Sequence, residues 1–288
     1  MMRGYNKCLK LLWVFLLFLV SEITFGQELM KVMTYNIGYD NSSTGNWAWK
    51  NRSPILVDQI RYYKPDIIGV QEALSNQMDD LREMLFDYES FGVGRDDGGS
   101  KGEFAAIFFR MDRFRLQGKG TFWLSSTPDK PGSKSWNTSL PRIVTYVELE
   151  DLKSKEEFFV FNTHWDNVSE EARINSAKLL LKKIQKIAGN KKLLILGDFN
   201  AVLNSAEMKE LIQNKDALLK DSRQASQEIA WGPDYTFIGK NFTPEKGNVI
   251  DHILVNIGIE VLKYAVLSDN FYGVYPSDHL PVFVEIKL

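Results

Sequence analysis

Short apolar runs recur along the chain from about Leu29 to the C-terminus, and polar segments containing Gly, Pro, Asn or Asp separate them. Most runs are rich in Val, Ile, Phe and Tyr, a composition typical of β-strands. The pattern predicts eight strands, with the sequences "LMKVMTYNIG", "DIIGVQE", "EFAAIFFR", "RIVTYVELE", "EFFVFNTHW", "KLLILGDFN", "NVIDHILVN" and "PVFVEIKL".

Helical patterns lie between some of these strands. The stretch "SPILVDQIRYY" has Ser53 as its predicted N-cap and Pro54 at the first helical position, and "SEEARINSAKLLLKKIQKIAG" begins at Ser169 and ends at Gly189. Such helices are too few to follow every strand. The pattern therefore favours an α/β fold, in which two sheets are sandwiched by helices, over a barrel.

The first 26 residues differ from the rest of the chain. Basic residues precede ten consecutive apolar residues, and small residues at Thr24 and Gly26 follow. This order predicts a secretory signal peptide over 1–26 and an exported protein, periplasmic or secreted. The apolar stretch is shorter than the ~20 residues of a membrane-spanning helix. We expect no stable membrane insertion after cleavage, with an uncleaved anchor as the alternative, and a single domain over 27–288.

Composition and charge exclude several kinds of site. The only cysteine is Cys8, so residues 27–288 contain no disulfide, thiolate metal site or cysteine nucleophile. The chain carries a formal charge of −2, and without residues 1–26 it has 32 basic and 36 acidic residues, a charge of −4. A chain of this charge is not expected to bind nucleic acid tightly without sequence specificity. We expect a monomer.

Six of the apolar segments end in, or are interrupted by, residues that bind metals or transfer protons. These residues are Asn36, Glu72, Asn162, His164, Asp198, Asn200, Asp251, Asp278 and His279. One such residue alone is usually a cap or a turn residue, but six segments together indicate a shared site. In an extended strand, residues two apart share a face, so Asp198 and Asn200 are predicted to point together and Phe199 to pack the other way.

The three histidines receive different interpretations. His252 directly follows Asp251 and should face the other side of its strand, so it is interpreted as structural. His164 and His279 lie among carboxylates and carboxamides, which favours a role in proton transfer or ligand binding.

The ordered set "TYNIG", "QE", "GEFAAIFF", "NTHWDN", "GDFN", "IDHILV" and "SDHLPV" resembles the endonuclease/exonuclease/phosphatase superfamily. The resemblance covers nearly all of residues 27–288. It implies a four-layered α/β sandwich, with two mixed β-sheets packed face to face, helices on the outer faces and the site at the mouth between the sheets. It also implies phosphoester hydrolysis with Mg²⁺ or Mn²⁺, and the oxygen ligands present suit these ions.

The resemblance assigns roles to individual residues. Glu72 is implied as the principal metal ligand, with Asn36 beside it and Asp278 as a further ligand. Asp198 and Asn200 are implied to orient the attacking water and the phosphate, and Asp198 is also assigned to a second metal. His279 is implied as a phosphate contact or base, held by Asp251. His164 is implied as a phosphate contact or general acid, with Glu103 as its partner. Arg142 is also implied as a site residue.

The roles of Arg142 and of three aromatic loops have alternative interpretations. Arg142 falls where secreted deoxyribonuclease-like members of the superfamily place an arginine, but a charge at a strand end explains it equally. Three aromatic loops contain Trp47, Trp136 and Trp231. These tryptophan side chains either stack on substrate or pack beneath their own loops.

The superfamily includes nucleases, sphingomyelinases and sugar phosphatases, and the shared motifs do not separate them. The acidic charge and predicted export favour a phosphatase or phosphodiesterase that acts on small phosphorylated molecules, such as sugar phosphates or lipid headgroups. The alternative is a secreted Mg²⁺-dependent nuclease acting on DNA or RNA. A catalytically silent binding module is disfavoured because every implied site residue is present.

Overall fold

A computed structural model describes residues 29–41 and 45–288. The predicted signal peptide over 1–26 lies outside the described residues. The helices are α1 (Trp49–Tyr63), α2 (Ser75–Met84), α3 (Glu170–Ile187), α4 (Ala206–Ile212) and α5 (Ser222–Ala225). The strands are β1 (Met30–Asn36), β2 (Ile67–Ala73), β3 (Tyr88–Phe91), β4 (Phe104–Arg110), β5 (Phe114–Trp123), β6 (Ile143–Asp151), β7 (Glu157–His164), β8 (Lys192–Asp198), β9 (Lys220–Asp221), β10 (Asp251–Val255), β11 (Glu260–Val266) and β12 (Val282–Lys287).

The strands form two mixed sheets of six. The first sheet has the order β11-β12-β1-β2-β4-β3, and the second has the order β5-β6-β7-β8-β10-β9. In the first sheet β1 is parallel to β2 and antiparallel to β12. In the second sheet β8 is parallel to β7 and antiparallel to β10. The predicted pair of mixed sheets is confirmed.

Three apolar layers join the sheets and helices. Between the sheets, side chains such as Val32 and Ile67 pack with Val160 and Leu194 in one buried cluster. A second cluster joins the outer face of the first sheet to α1 and α2, and a third joins the outer face of the second sheet to α3 and α4. The order of layers is therefore helices, sheet, sheet, helices, as the four-layered sandwich predicts.

Four strands, β3, β5, β9 and β11, were not predicted. All four lie at the edges of the two sheets. In β5 the sequence FRLQGKGTFW is buried only at Phe114, Phe122 and Trp123, alternates half-buried with exposed positions between them, and contains two glycines. An edge strand is partly solvated, so its sequence lacks the continuous apolar run of a central strand.

The start of α1 was predicted incorrectly. The helix begins at Trp49 with Ala48 as its N-cap, so Ser53 and Pro54 lie inside it. The predicted N-cap of α3 is confirmed, because the Ser169 side chain accepts a hydrogen bond from the Ala172 backbone N–H. The helix α2 was not predicted.

The sheets approach closely below the predicted site. A Cβ atom at Gly69 would lie 2.9 Å from both Asn162 Oδ1 and Leu196 Cβ of the opposite sheet. Asn162 crosses the interface, where its Nδ2 donates to the carbonyls of Val70 and Ala106 at 2.9 and 2.8 Å. Asn162 is thus a structural link between the sheets rather than a group at their mouth.

Candidate active site

Strand ends bring the predicted site residues to one mouth of the sandwich. Asn36 and Gln71 are paired at the ends of parallel strands β1 and β2, and Glu72 follows Gln71. In the second sheet Asp198 is paired with both His164 of β7 and Asp251 of β10. The topology therefore explains why residues far apart in sequence meet.

Glu72 reaches the mouth through an irregularity in β2. The pairing of β2 with β4 shifts register between Gln71 and Ala73, and Glu72 has φ 64°. The Gln71 side chain points between the sheets, where Nε2 donates to Asn162 Oδ1 at 2.7 Å. The bulge therefore lets Gln71 point between the sheets while Glu72 points to the mouth. The strained backbone at Glu72 costs about 1–3 kcal/mol of conformational free energy.

Asn36 lies at the centre of the acidic cluster. Its Nδ2 donates to Glu72 Oε1 at 3.0 Å and to Asp198 Oδ2 at 2.9 Å, and lies 3.4 Å from His279 Nε2. Its Oδ1 accepts from the Gly38 backbone N–H at 3.0 Å. The amide is buried and held on both sides, so its position is fixed.

Three side chains converge as a metal site requires. Glu72, Asp198 and His279 each offer one ligand atom, and these atoms lie within 4.8 Å of one another. The two carboxylates are hard oxygen ligands that Mg²⁺ and Mn²⁺ accept. Asn36 directs its Nδ2 to these carboxylates and its Oδ1 to the Gly38 backbone N–H, so its amide oxygen is not offered to this site. The residues present therefore fit a divalent cation.

Asp278 lies beside this cluster but not in it. Its carboxylate and that of Glu72 line the same cavity. Asp278 Oδ1 accepts from Ser277 Oγ at 3.4 Å, and a Cβ at Gly38 would lie 3.1 Å from it. Its role as a metal ligand stays a prediction.

His279 is held by the predicted carboxylate partner. Its Nδ1 lies 2.9 Å from Asp251 Oδ2, and its Nε2 lies 3.8 Å from Asp198 Oδ2. Burial lowers the pKa of His279, but Asp251 and Asp198 outweigh burial and raise this pKa to about 10. Without a cation, the ring is protonated at neutral pH, which suits hydrogen-bond donation to a phosphate oxygen.

Asp198 is a buried carboxylate beside other charges. Burial raises its pKa to about 7, and the nearby Asp251 acts in the same direction while His279 opposes it. Its Oδ1 accepts from the Asn200 backbone N–H at 2.9 Å. A carboxyl group with a pKa near neutrality is suited to accept a proton from an attacking water.

His164 differs from His279 in its surroundings. Its Nε2 lies 3.5 Å from Asp198 Oδ2, and its buried Nδ1 has no hydrogen-bond partner among the described residues. Burial lowers the pKa of His164 well below its usual value, and Arg142 and Arg95 lower it further. The ring is therefore neutral.

The predicted pairing of Glu103 with His164 is not a hydrogen bond in this structure. Glu103 Oε2 lies 3.7 Å from His164 Nδ1. Instead, Arg95 donates to both oxygens of Glu103 at 2.7 and 2.8 Å, in a partly buried bidentate pair. Arg95 was missed in the sequence because it lies in the glycine-rich segment "GVGRDDGG", outside the apolar runs and the family motifs. The Arg95 guanidinium therefore binds the Glu103 carboxylate, which was expected to orient His164.

Arg142 is buried and incompletely paired. Its Nε lies 3.4 Å from Asp166 Oδ2 and its Nη2 donates to Asn167 Oδ1 at 3.0 Å. Its Nη1 is buried without a partner among the residues that the structure describes. A buried donor of this kind needs an acceptor, and a phosphate oxygen would supply one. This observation favours a substrate contact over a simple charge at a strand end.

Asn200 is not placed beside Asp198 by the extended strand alternation that was predicted. The strand β8 ends at Asp198, and Asn200 has φ 47°, so extended alternation does not continue to it. Its Nδ2 donates to the Trp165 carbonyl at 3.1 Å. The prediction for Phe199 is confirmed, since its buried ring lies 4.8 Å from the Trp165 ring and 5.7 Å from the His252 ring.

His252 is structural, as predicted. Its Nδ1 lies 3.0 Å from Asp221 Oδ2, and its Nε2 lies 3.0 Å from the Ala201 carbonyl. Both ring nitrogens are therefore used inside the fold, on the opposite side of the strand from Asp251.

Arg52 is a supporting residue that the sequence did not reveal. This buried side chain of α1 donates to the carbonyls of Ile37 and Gly38, and to that of Pro276 at 3.2 Å. It therefore ties the exit of β1 to the loop that carries His279. Arg52 lies before the predicted start of this helix at Ser53, so no helical pattern indicated its role.

The three tryptophans of the aromatic loops lie in different places. Trp47 lines the cavity that contains Glu72 and Asp278. Trp231, 79% exposed, lies beside edge strand β11 and lines a separate cavity that contains none of the predicted site residues. The Trp136 carbonyl accepts from the Ser169 hydroxyl at 2.9 Å, which ties its loop to the start of α3.

Known proteins similar to this chain share its fold. The sequence profile of the Endonuclease/Exonuclease/phosphatase family matches residues 33–279. An endonuclease/exonuclease/phosphatase from Bacteroides vulgatus is 34% identical, with a TM-score of 0.85, over 91% of this chain and 99% of that one. A mannosyl-6-phosphatase from Bacteroides thetaiotaomicron VPI-5482 is 35% identical, with a TM-score of 0.84, over 90% of this chain and 100% of that one. The exoribonuclease subunit Ccr4 of the CCR4-Not complex from Saccharomyces cerevisiae is 23% identical over 85% of this chain and 36% of its own length.

The match of the family profile spans most of the chain, and the carboxylates and histidines of the family motifs meet at one mouth of the sandwich. Among the described residues, no helix is long and apolar enough to cross a membrane. The chain belongs to the endonuclease/exonuclease/phosphatase family, and it is a metal-dependent phosphoester hydrolase.

Proposed function

We propose that this protein is an exported phosphatase that removes phosphate from sugar phosphates, with Mg²⁺ or Mn²⁺ as its cofactor. The observation that carries the proposal is the 35% identity to a mannosyl-6-phosphatase along all of that chain. The polar, incompletely paired groups at the mouth of the sandwich support it, because they suit a compact anion.

The side chains divide the reaction between them. Arg142 Nη1 donates to a phosphoryl oxygen, where negative charge accumulates during in-line attack, and His279, which Asp251 holds in place, contacts the phosphate. Asp198 accepts the proton of the attacking water, and Asn36 fixes the position of the Asp198 carboxylate. Glu72 would hold a divalent cation, which would stabilise that negative charge further.

Export is part of the proposal and rests on the sequence of residues 1–26. A basic segment, ten apolar residues and small residues follow in the order of a signal peptide. Fractionation of cells that express the full chain tests it, together with N-terminal sequencing of the mature protein. A chain that stays in the cytosol with Met1 intact would contradict export.

A nuclease is the second candidate, and the similarity to Ccr4 favours it. The charge of −4 over residues 27–288 argues against it, because a polynucleotide path needs a basic surface.

A substrate panel separates these functions. Mannose 6-phosphate, glycerol 3-phosphate, an aryl phosphodiester, plasmid DNA and single-stranded RNA would each be incubated with Mg²⁺, Mn²⁺ or chelator. We expect phosphate release from the monoesters only, and only with a metal. Nicking of plasmid or degradation of RNA at low enzyme, without release from monoesters, would favour the nuclease instead.

A further inference from the structure

A cavity of about 230 Å³ adjoins the candidate active site. Its walls come from four parts of the chain that meet only in the fold, and Asp278, just before β12, is one of them. Trp47 lies just before α1, Glu72 is the bulged residue of β2, and Lys240 belongs to the loop between α5 and β10. No motif of the family resemblance includes Trp47 or Lys240.

Glu72 forms the boundary between this cavity and the acidic cluster. Its Oε1 accepts from Asn36 Nδ2 at 3.0 Å, and its Oε2 accepts from the Tyr39 backbone N–H at 3.1 Å. Tyr39 lines the cavity, whereas Asn36 belongs to the cluster. A molecule whose phosphate lies at the cluster therefore has room for its organic part in the cavity.

Trp47 and Lys240 are placed by contacts with their neighbours. The Trp47 ring lies 6.1 Å from the Phe242 ring, and the Trp47 carbonyl accepts from Arg52 Nε at 3.2 Å. Lys240 Nζ donates to Asn41 Oδ1 at 2.8 Å and lies 6.0 Å from the centre of the Trp47 ring. One aromatic face, one amine and one amide thus border the same space.

The chemistry of this lining selects a hydroxylated ring. An aromatic face carries negative charge density that attracts the C–H bonds of a sugar, while amine, amide and carboxylate groups bind hydroxyls. The volume is below the ~300–1,000 Å³ typical of pockets for larger ligands, so it suits one ring rather than a nucleotide chain. The lining includes two carboxylates, Glu72 and Asp278, and two cations, Arg52 and Lys240, so it is not a basic path for a polynucleotide.

We propose that Trp47 and Lys240 bind the sugar ring of the substrate and thereby determine specificity for hexose phosphates over phosphate monoesters that lack a ring. Trp47 packs against one face of the ring, and Lys240 donates to its hydroxyls. This inference rests on the proposed phosphatase function.

The test compares two substrates in single variants. With Mg²⁺ or Mn²⁺, W47A and K240A are expected to lower kcat/KM for mannose 6-phosphate by about tenfold, mainly through KM. The same variants should change kcat/KM for the ringless glycerol 3-phosphate by less than about threefold. Matched controls are W231A, at the exposed tryptophan beside β11, and K178A, on the exposed face of α3, which should change neither value.

Equal loss for both substrates, or no loss for either, would overturn the inference. Calorimetric binding of mannose 6-phosphate in the presence of chelator separates this failure from that of the proposed function. If the wild-type protein binds the sugar phosphate but does not hydrolyse it, and W47A binds it about tenfold more weakly, the inference stands and the phosphatase proposal fails. If the wild-type protein neither binds nor hydrolyses it, both fail.

Discussion

Asp198 and Asp251 are buried carboxylates on paired positions of neighbouring strands. Burial and the neighbouring Asp251 both raise the pKa of Asp198, so its negative charge is costly to hold there. Asn36, His279 and the Asn200 backbone offset part of this cost. At the scale of single residues, the site therefore holds buried charge that lowers the stability of the fold.

Replacing Asp198 with Asn should separate function from stability. We expect kcat/KM to fall by about 10²–10⁴-fold, because the amide cannot accept the proton of the attacking water. The melting temperature in chelator should stay equal or rise, since a buried negative charge is removed. Steady-state kinetics and circular dichroism melting measure both. Activity close to that of the wild type would refute the role of Asp198.

His252 provides a pH-dependent contribution to stability. Burial lowers its pKa, but the hydrogen bond to Asp221 and the charges of Asp221 and Asp251 outweigh burial, so its pKa is raised when folded. Its stabilisation is therefore fully present below the unfolded pKa of about 6.5 and is lost as pH rises through the folded value.

The H252N variant should accordingly lose more stability in acid than in base. The difference in free energy of unfolding from the wild type, from urea titrations, should be larger at pH 6 than at pH 9.5. A difference that does not depend on pH would show that the charge on His252 contributes nothing.

At the scale of elements, the central strands were predictable and the edge strands were not. The runs that became β1, β2, β7 and β8 are mostly apolar and almost fully buried, because both faces of these strands are covered. The strand β5 is half exposed and has no such signal. The N-cap of α3 was predictable because Ser169 has a local capping signature, whereas α1 begins at Trp49 and its N-cap, Ala48, has no capping side chain.

The same difference applies to the site. Glu72, Asp198 and His279 were predictable because each follows or interrupts an apolar run. Arg95 and Arg52 were not, because they act through long-range contacts, with Glu103 and with backbone carbonyls, that have no local pattern. Because Glu103 pairs with Arg95, the environment of His164 differs from the predicted one.

The helix α1 positions both sides of the mouth through Arg52. In an R52M variant, the carbonyls of Ile37, Gly38 and Pro276 lose their donor, and we expect a loss of about 1–3 kcal/mol in the free energy of unfolding. The value of kcat/KM should fall as well. The control R61M, at an exposed arginine of the same helix, should change the free energy of unfolding by less than about 0.5 kcal/mol. Equal effects of the two substitutions would refute the role of Arg52.

Sheet packing depends on Gly69. The G69A variant should lower the free energy of unfolding by about 1–3 kcal/mol, because the added Cβ meets Asn162 and Leu196 of the opposite sheet. The control G118A lies in edge strand β5, where the nearest atom belongs to the flexible Glu148 side chain. Chemical denaturation of both variants would show the difference, and an unchanged G69A would contradict the close contact.

At the scale of the whole molecule, two sheets contribute different parts of one site. The first sheet carries Asn36 and Glu72, and the second carries His164, Asp198 and Asp251. His279 lies just before β12 of the first sheet, yet it is held by Asp251 of the second. The site therefore exists only when the two sheets are packed together, which explains why the bound cation should also stabilise the fold.

Calorimetric titration of Mn²⁺ into the metal-free protein tests the central claim most directly. The cluster of Glu72, Asp198 and His279 predicts saturable binding by the wild-type protein. It predicts at least about tenfold weaker binding by E72A, and unchanged binding by E228A, whose carboxylate lies outside the site. Equal affinity of the wild-type and E72A proteins for Mn²⁺ would contradict the account.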